Sequence, residues 1–95
     1  MKPLTLPQVN LNGTSREALV NQQVDVLRVL VKLTDAMSEA APNGRDYQLR
    51  PAEFAPAREA WHERMKLVAD LHKEIEAHAM AILSDAVVQR RHNEG

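Results

Sequence analysis

The chain of 95 residues holds 44% hydrophobic and 26% charged residues, which is the composition of a single ordinary globular domain. Its net charge of −1 provides no basic field for duplex nucleic acid, and the absence of cysteine excludes disulfide scaffolds, thiol catalysis and cysteine-ligated metals. Only 3% of the residues are aromatic, so aliphatic side chains and alanine must fill the core, as is typical of helix bundles. The amino terminus lacks the apolar region of a signal peptide, and no apolar run is long enough for a membrane span, so we expect a cytoplasmic protein.

Residues 1–13 are predicted to form an extended arm. Pro3 and Pro7 suit an edge strand or a free strand, and the segment has no helical period. Four aliphatic residues alternate with polar neighbours: Leu4, Leu6, Val9 and Leu11. A disordered tail is the alternative, but the alternation favours an arm that packs on the rest of the protein.

The first helix is predicted over residues 15–41. Thr14 and Glu17 fit a capping box, with Thr14 as the N-cap, and Pro42 followed by Asn43-Gly44 ends the helix. One apolar stripe consists of Leu19, Val26, Leu30, Leu33 and Met37, and a second consists of Val20, Val24, Leu27 and Val31. Two stripes are wider than the seam that one partner helix covers, so we expect the second stripe to be fully exposed in a single hairpin and to form an oligomer interface.

A loop over residues 42–54 is predicted to connect the first helix to a second helix over residues 55–90, which is followed by a tail over 91–95. Pro56 falls in the first helical turn, where its missing N–H has no consequence. The inward face of this helix is indicated by apolar residues that repeat every seven positions: Trp61, Val68, Ile75 and Ile82. The predicted fold is all-α, a single domain with an extended arm and a long antiparallel two-helix hairpin that self-associates into a bundle.

The loop concentrates the side chains that a small anionic ligand needs, which are Asn43, Arg45, Asp46, Tyr47 and Arg50. The two arginines offer planar forks for phosphate, and the only tyrosine offers a ring on which a base can stack. The alternative is a structural turn in which Asp46 pairs with an arginine and Tyr47 fills the end of the bundle.

Metal and catalytic sites receive little support from the sequence. Glu59 and His62 form one Glu-x-x-His pattern of the kind that di-iron bundles use, but the predicted first helix places its acidic residues on the water face. No nucleophile elbow or glycine-rich phosphate loop occurs. We therefore expect no enzyme, no cofactor and no metal, with a metal-dependent enzyme at Glu59 and His62 as a minor alternative.

Two segments together resemble a group of short uncharacterised helical proteins from tailed phages and prophages: residues 11–15 (LNGTS) and residues 40–47 (AAPNGRDY). With the alanine-rich second helix, the resemblance covers about residues 9–83. It implies a viral origin and the cytoplasm of a bacterial host.

The helix, turn and second helix are also similar to the helical-hairpin sponges with which phages sequester cyclic nucleotides in anti-CBASS and anti-Thoeris counter-defence. In that family, oligomeric hairpins hold the ligand between chains. The matching positions are Asn43, Arg45 and Asp46. At the position of Asp46 the family tends to have glutamate. The sequence departs from the family after this acid, since residues 47–54 intervene before the second helix and Trp61 comes early.

We therefore predict a phage-encoded counter-defence protein that binds and sequesters a small nucleotide signal, of cyclic nucleotide or cyclic ADP-ribose type, without catalysis. The alternative is an oligomeric helical module that docks on a host or virion protein. In both cases the chain is expected to bind itself, and neither duplex nucleic acid nor a membrane is expected as a partner.

Overall fold

The computed structural model describes residues 1–10 and 12–94, with side chains described as far as Asp85. Helix α1 spans Arg16–Glu39 and helix α2 spans Phe54–Glu94. The described residues contain no strand, so the predicted all-α class is confirmed. The molecule is a rod of 70 × 19 × 18 Å.

Helix α1 begins one residue later than the capping box predicted. Ser15 has an extended backbone, with φ −63° and ψ 154°, and its Oγ accepts a hydrogen bond from the Ala18 amide at 3.2 Å. The assignment of Thr14 as the N-cap is therefore wrong. Both residues can cap a helix, and the one that directly precedes the first helical residue reaches the free amide.

The carboxyl end of α1 also falls short of the predicted residue 41. Ala40 is the C-cap, and its amide donates to the Ala36 carbonyl at 3.0 Å. Pro42 follows two residues later, and a proline disfavours helical backbone at the residue before it.

Two short 3-10 turns, Gly44–Tyr47 and Pro51–Glu53, form most of the predicted loop over residues 42–54. The side chain of Asn43 starts the first turn by accepting a hydrogen bond from the Arg45 amide at 3.0 Å. Helix α2 begins at Phe54, one residue before the prediction, because the second turn leads directly into it.

The carboxyl end of α2 differs from the prediction as well. The helix continues to Glu94, so the predicted end at residue 90 and the predicted tail over 91–95 are wrong for residues 91–94. Residues 57–94 contain neither Pro nor Gly, so nothing in the chain breaks the helix before that point. Gly95 lies outside the described residues.

Two contacts fix how α1 and α2 pack as an antiparallel hairpin. At one end Arg16 pairs with Asp85 at 3.6 Å, and at the other the Trp61 Nε1–H donates to the Met37 carbonyl at 2.8 Å. The four apolar residues at sevenfold spacing lie on the inward side as predicted, with Trp61, Val68 and Ile75 half-buried and Ile82 buried. Besides Ile82, the buried residues of the described chain are Leu30 and Ala79.

The amino-terminal arm packs along α2. Residues 1–10 have neither helix nor strand, and a groove of about 410 Å³ between the arm and α2 is lined by Leu4, Leu6, Leu71, Ile75 and Ala81 among others. A turn joins the arm to α1, since the Gly13 amide donates to the Asn10 carbonyl at 3.2 Å. Leu11 lies outside the described residues. The packed arm is therefore the alternative that the structure adopts.

Candidate functional site

The loop residues that were predicted to bind a ligand lie at one end of the rod. Arg45, Asp46, Tyr47 and Arg50 line a shallow depression of about 420 Å³, together with Gln48, Leu49 and Glu53. Asn43 does not line this depression, because its side chain caps the first 3-10 turn. Four of the five predicted residues are thus brought together.

Tyr47 is half-buried against an aromatic neighbour that the sequence did not single out. Its ring lies 5.8 Å from the ring of Phe54, with the planes tilted by 53°. The guanidinium of Arg58 lies 5.5 Å from the centroid of the Phe54 ring, within the range of a cation–π contact. Phe54 was assigned to the predicted loop, and its four-residue spacing from Arg58 is the signal that could have placed both residues on one face of the second helix.

The charges in the depression balance. Arg45 and Arg50 supply two positive charges, and Asp46 and Glu53 supply two negative charges. Arg50 pairs with Glu53 at 3.5 Å, and both side chains are exposed, so the pair stabilises the fold by at most about 1 kcal/mol. Arg45 is exposed and has no ion pair among the described residues. An anion could therefore recruit both guanidinium groups without breaking a strong contact.

The predicted oligomer interface is only partly exposed. Val20, Val24 and Leu27 are half-buried, so the expectation that they would be fully exposed in a single hairpin is wrong, whereas Val31 is 50% exposed. All four residues lie on one flank of α1, so the exposure of this flank changes along the length of the helix. Sequence periodicity groups residues into stripes, but it does not show which stripe faces the partner helix.

A second set of apolar residues is more exposed, and two of its members, Val29 and Leu67, were not singled out from the sequence. Val29 is 64% exposed and Leu67 is 68% exposed. Three further exposed apolar residues are Val26, Leu33 and Leu71. We call these five residues the Val29 face.

Helical geometry places the Val29 face on one side of the hairpin. Each residue advances the helix by about 100°, and Val29 comes one residue before buried Leu30, as Leu67 comes one residue before inward Val68. In two antiparallel helices, an equal rotation from the inward residues leads to the same side of the pair. Val31 follows Leu30 by one residue and therefore lies on the opposite side.

The two cross-helix contacts also give the levels along the rod. Since Arg16 lies near Asp85 and Met37 lies near Trp61, interpolation places Val29 level with a point between Leu67 and Leu71. Leu33 lies close to the level of Leu67 by the same reasoning. The Val29 face is therefore one continuous apolar patch across both helices.

The exposed area of the chain is large for its mass. It amounts to 7,897 Å², whereas a compact folded monomer of 10.7 kDa exposes about 5,500 Å². The excess of roughly 2,400 Å² follows from the elongated shape of the chain, a single layer of two helices in which α2 continues beyond Asp85, the residue that pairs with the start of α1. Neither helix of the described chain is long and apolar enough to cross a membrane.

The histidines of the described chain do not form a metal site. Glu59 and His62 are both exposed, and no group of three potential ligands occurs between residues 1 and 85. His72 Nδ1 lies 3.9 Å from a carboxylate oxygen of Glu76, one helical turn away. This contact is an ordinary pair on one helix face.

Comparison with known proteins gives no neighbour from which to transfer a function. No protein-family model, no curated protein and no solved structure matches the chain. The resemblance to phage proteins therefore stays a prediction, and a functional proposal has to rest on the geometry of the chain itself.

Proposed function

We propose that this chain is a non-enzymatic helical-hairpin interaction module that works as a homo-oligomer. The observation that carries the proposal is the combination of three buried residues in the described chain with roughly 2,400 Å² of excess exposed area. A hairpin of this kind lacks the second layer that most domains use to bury their apolar faces. A second copy of the same chain supplies that layer.

The energy of such an association can be estimated from the Val29 face. Its five side chains are roughly half exposed, and full burial of a valine or leucine is worth about 1.5–3 kcal/mol, so each contributes about 1 kcal/mol. Two copies contribute about 10 kcal/mol, which is comparable to the 4–15 kcal/mol of lost rigid-body freedom. A twofold-symmetric interface is favoured because each residue of the face is buried once in each copy, which doubles the free energy gained from burial.

Size-exclusion chromatography with light scattering tests the proposal. At micromolar concentration we expect a mass that is a whole multiple of 10.7 kDa, together with a helical circular dichroism spectrum. A monodisperse, fully helical monomer would contradict the proposal. A stoichiometric complex with a different protein would instead favour the alternative module, which docks on a host or virion protein.

A second candidate function is the binding of a small anionic nucleotide at the loop end of the rod. The observation that favours it is that exposed Arg45 lines the same depression as Tyr47, with Arg50 held only by an exposed ion pair. In this proposal a phage-encoded oligomer sequesters a cyclic nucleotide or a cyclic ADP-ribose isomer in the cytoplasm of a bacterial host. The balanced charge of the depression makes this the weaker candidate.

Thermal shift against a panel of cyclic dinucleotides, cyclic trinucleotides and cyclic ADP-ribose isomers tests the nucleotide proposal. Arg45→Ala and Arg50→Ala should each weaken binding by about ten- to a hundredfold, because a charge-assisted contact is worth about 1.5–3 kcal/mol. Tyr47→Phe should matter less than Tyr47→Ala, since the ring that stacks is kept. If no member of the panel raises the melting temperature of the intact oligomer, this candidate is wrong.

A further inference from the structure

We infer that the Val29 face receives a second copy of this chain, with the two α1 helices antiparallel and a twofold axis beside Val29. The inference rests on the proposed homo-oligomer and specifies its interface. This interface is not the one that periodicity favoured. The predicted interface consisted of Val20, Val24, Leu27 and Val31, and Val31 lies on the opposite side of the hairpin from Val29.

A stripe along α1 has the pattern of a coiled-coil seam. Seven positions succeed one another at alternating steps of three and four residues, and none of them is charged: Leu19, Gln22, Val26, Val29, Leu33, Ala36 and Ala40. Steps of three and four keep the side chains on one helix face, which is the spacing of the seam positions in a coiled coil. Six of the seven positions are exposed and Leu19 is half-buried, so most of the stripe is available for another helix.

The stripe is complementary to itself about Val29. An antiparallel copy centred there places Val26 opposite Leu33 of the second copy. The same arrangement places Gln22 opposite Ala36, and Leu19 opposite Ala40, so that a larger side chain meets a smaller one. Such complementarity is what a twofold interface requires, since each copy presents the same surface.

Helix α2 extends the contact on the same side of the rod. Because Val29 lies level with a point between Leu67 and Leu71, the same twofold axis brings Leu67 of one copy toward Leu71 of the other. Leu71 also lines the groove beneath the amino-terminal arm. The arm lies on this same side of α2, because Glu74, His78 and Ala81, which line the groove with it, each come one residue before an inward residue. The arm would therefore border the contact beyond Leu71.

The opposite side of the hairpin exposes fewer large apolar residues. They are Val31, Met80 and Leu83, which are 50%, 59% and 46% exposed. Val31 lies near the level of Val68, twelve residues from Met80, which corresponds to about 18 Å along the helix. The Val29 side presents five exposed apolar residues from both helices. The first and last positions of its seam are 21 residues apart, so a contact about 32 Å long across a rod 19 Å wide covers roughly 600 Å² per partner, near the roughly 800 Å² of a standard interface.

Cysteine crosslinking tests the inference, because the chain contains no cysteine of its own. A residue on a twofold axis lies next to its own copy, so Val29→Cys should form a disulfide-linked dimer when oxidised with diamide. Val31→Cys is the matched control on the same helix, and we expect it to crosslink at least ten times more slowly. Both variants replace one exposed valine by a residue of similar size, so both should keep the wild-type helical content.

The outcomes separate the inference from the proposed function. If the wild-type chain is a helical monomer by light scattering, the homo-oligomer is wrong and the inference falls with it. If the wild type is an oligomer but Val29→Cys does not crosslink, or Val31→Cys crosslinks faster, only the inferred interface is overturned. Rapid crosslinking of Val29→Cys alone, in an oligomeric protein, supports both.

Discussion

Replacing Trp61 by Phe tests how the hairpin is closed at its loop end. The last four carbonyl groups of a helix have no partner within the helix, and the Ala41 amide donates to the Ser38 carbonyl rather than to that of Met37. The indole of Trp61 supplies the missing donor to the Met37 carbonyl at 2.8 Å. Phenylalanine keeps an aromatic ring at this half-buried position but removes the donor.

The expected loss of stability is about 1–2 kcal/mol, because the variant loses one hydrogen bond and leaves a partly buried carbonyl unpaired. For a domain of this size that loss corresponds to a fall of roughly 5–15 °C in the melting temperature. Thermal denaturation followed by circular dichroism, at one fixed protein concentration, measures it. Tyr47→Phe is the control, since the Tyr47 hydroxyl makes no hydrogen bond within the described chain, and we expect its change to stay within about 0.5 kcal/mol. Equal stability of Trp61→Phe and the wild type would refute the role of the indole.

Three further predictions concern the N-cap at Ser15, the buried residue Leu30 and the ion pair between Arg16 and Asp85. Urea denaturation measures the free energy of unfolding for all three. Ser15→Ala should lower the free energy of unfolding by about 1 kcal/mol while Thr14→Ala changes it little, and the reverse order would show that Thr14 is the N-cap. Leu30→Ala should lower it by about 2–5 kcal/mol because this side chain is buried, and a change below about 1 kcal/mol would show that Leu30 is not in the core. A double-mutant cycle with Arg16→Ala and Asp85→Ala should give a stabilising coupling of about 1 kcal/mol, because both side chains are partly buried, and a coupling of zero would contradict the ion pair.

The helices and the turn were predictable because their signals are local. Pro42 and the apolar residues at sevenfold spacing in α2 each act within a few residues, and both gave the observed structure. The ends were less predictable, since Thr14 and Ser15 have equivalent capping chemistry and only the backbone at Ser15 decides between them.

The candidate sites were harder to predict because they depend on how the helices pack. Periodicity grouped Leu27 and Val31 into one stripe, but the position of α2 makes one half-buried and leaves the other exposed. Neither predicted stripe contained Val29, and only the packing of the two helices shows that it lies near the level of Leu67. At the loop, Arg45 and Arg50 are close in sequence and line one depression, whereas the ring contact between Tyr47 and Phe54 depends on the 3-10 turn Pro51–Glu53 between them.

The most direct test of the interface is the molar mass of Val29→Glu and Val31→Glu, measured side by side by sedimentation velocity at the same concentration. The two positions lie two residues apart on α1, so the change in helix propensity is matched, and both are exposed in the hairpin. We predict that Val29→Glu sediments as a folded monomer of about 10.7 kDa, because each copy would place a carboxylate beside its own symmetry mate, while Val31→Glu keeps the wild-type mass. Dissociation of Val31→Glu with an intact Val29→Glu oligomer would contradict an interface at the Val29 face.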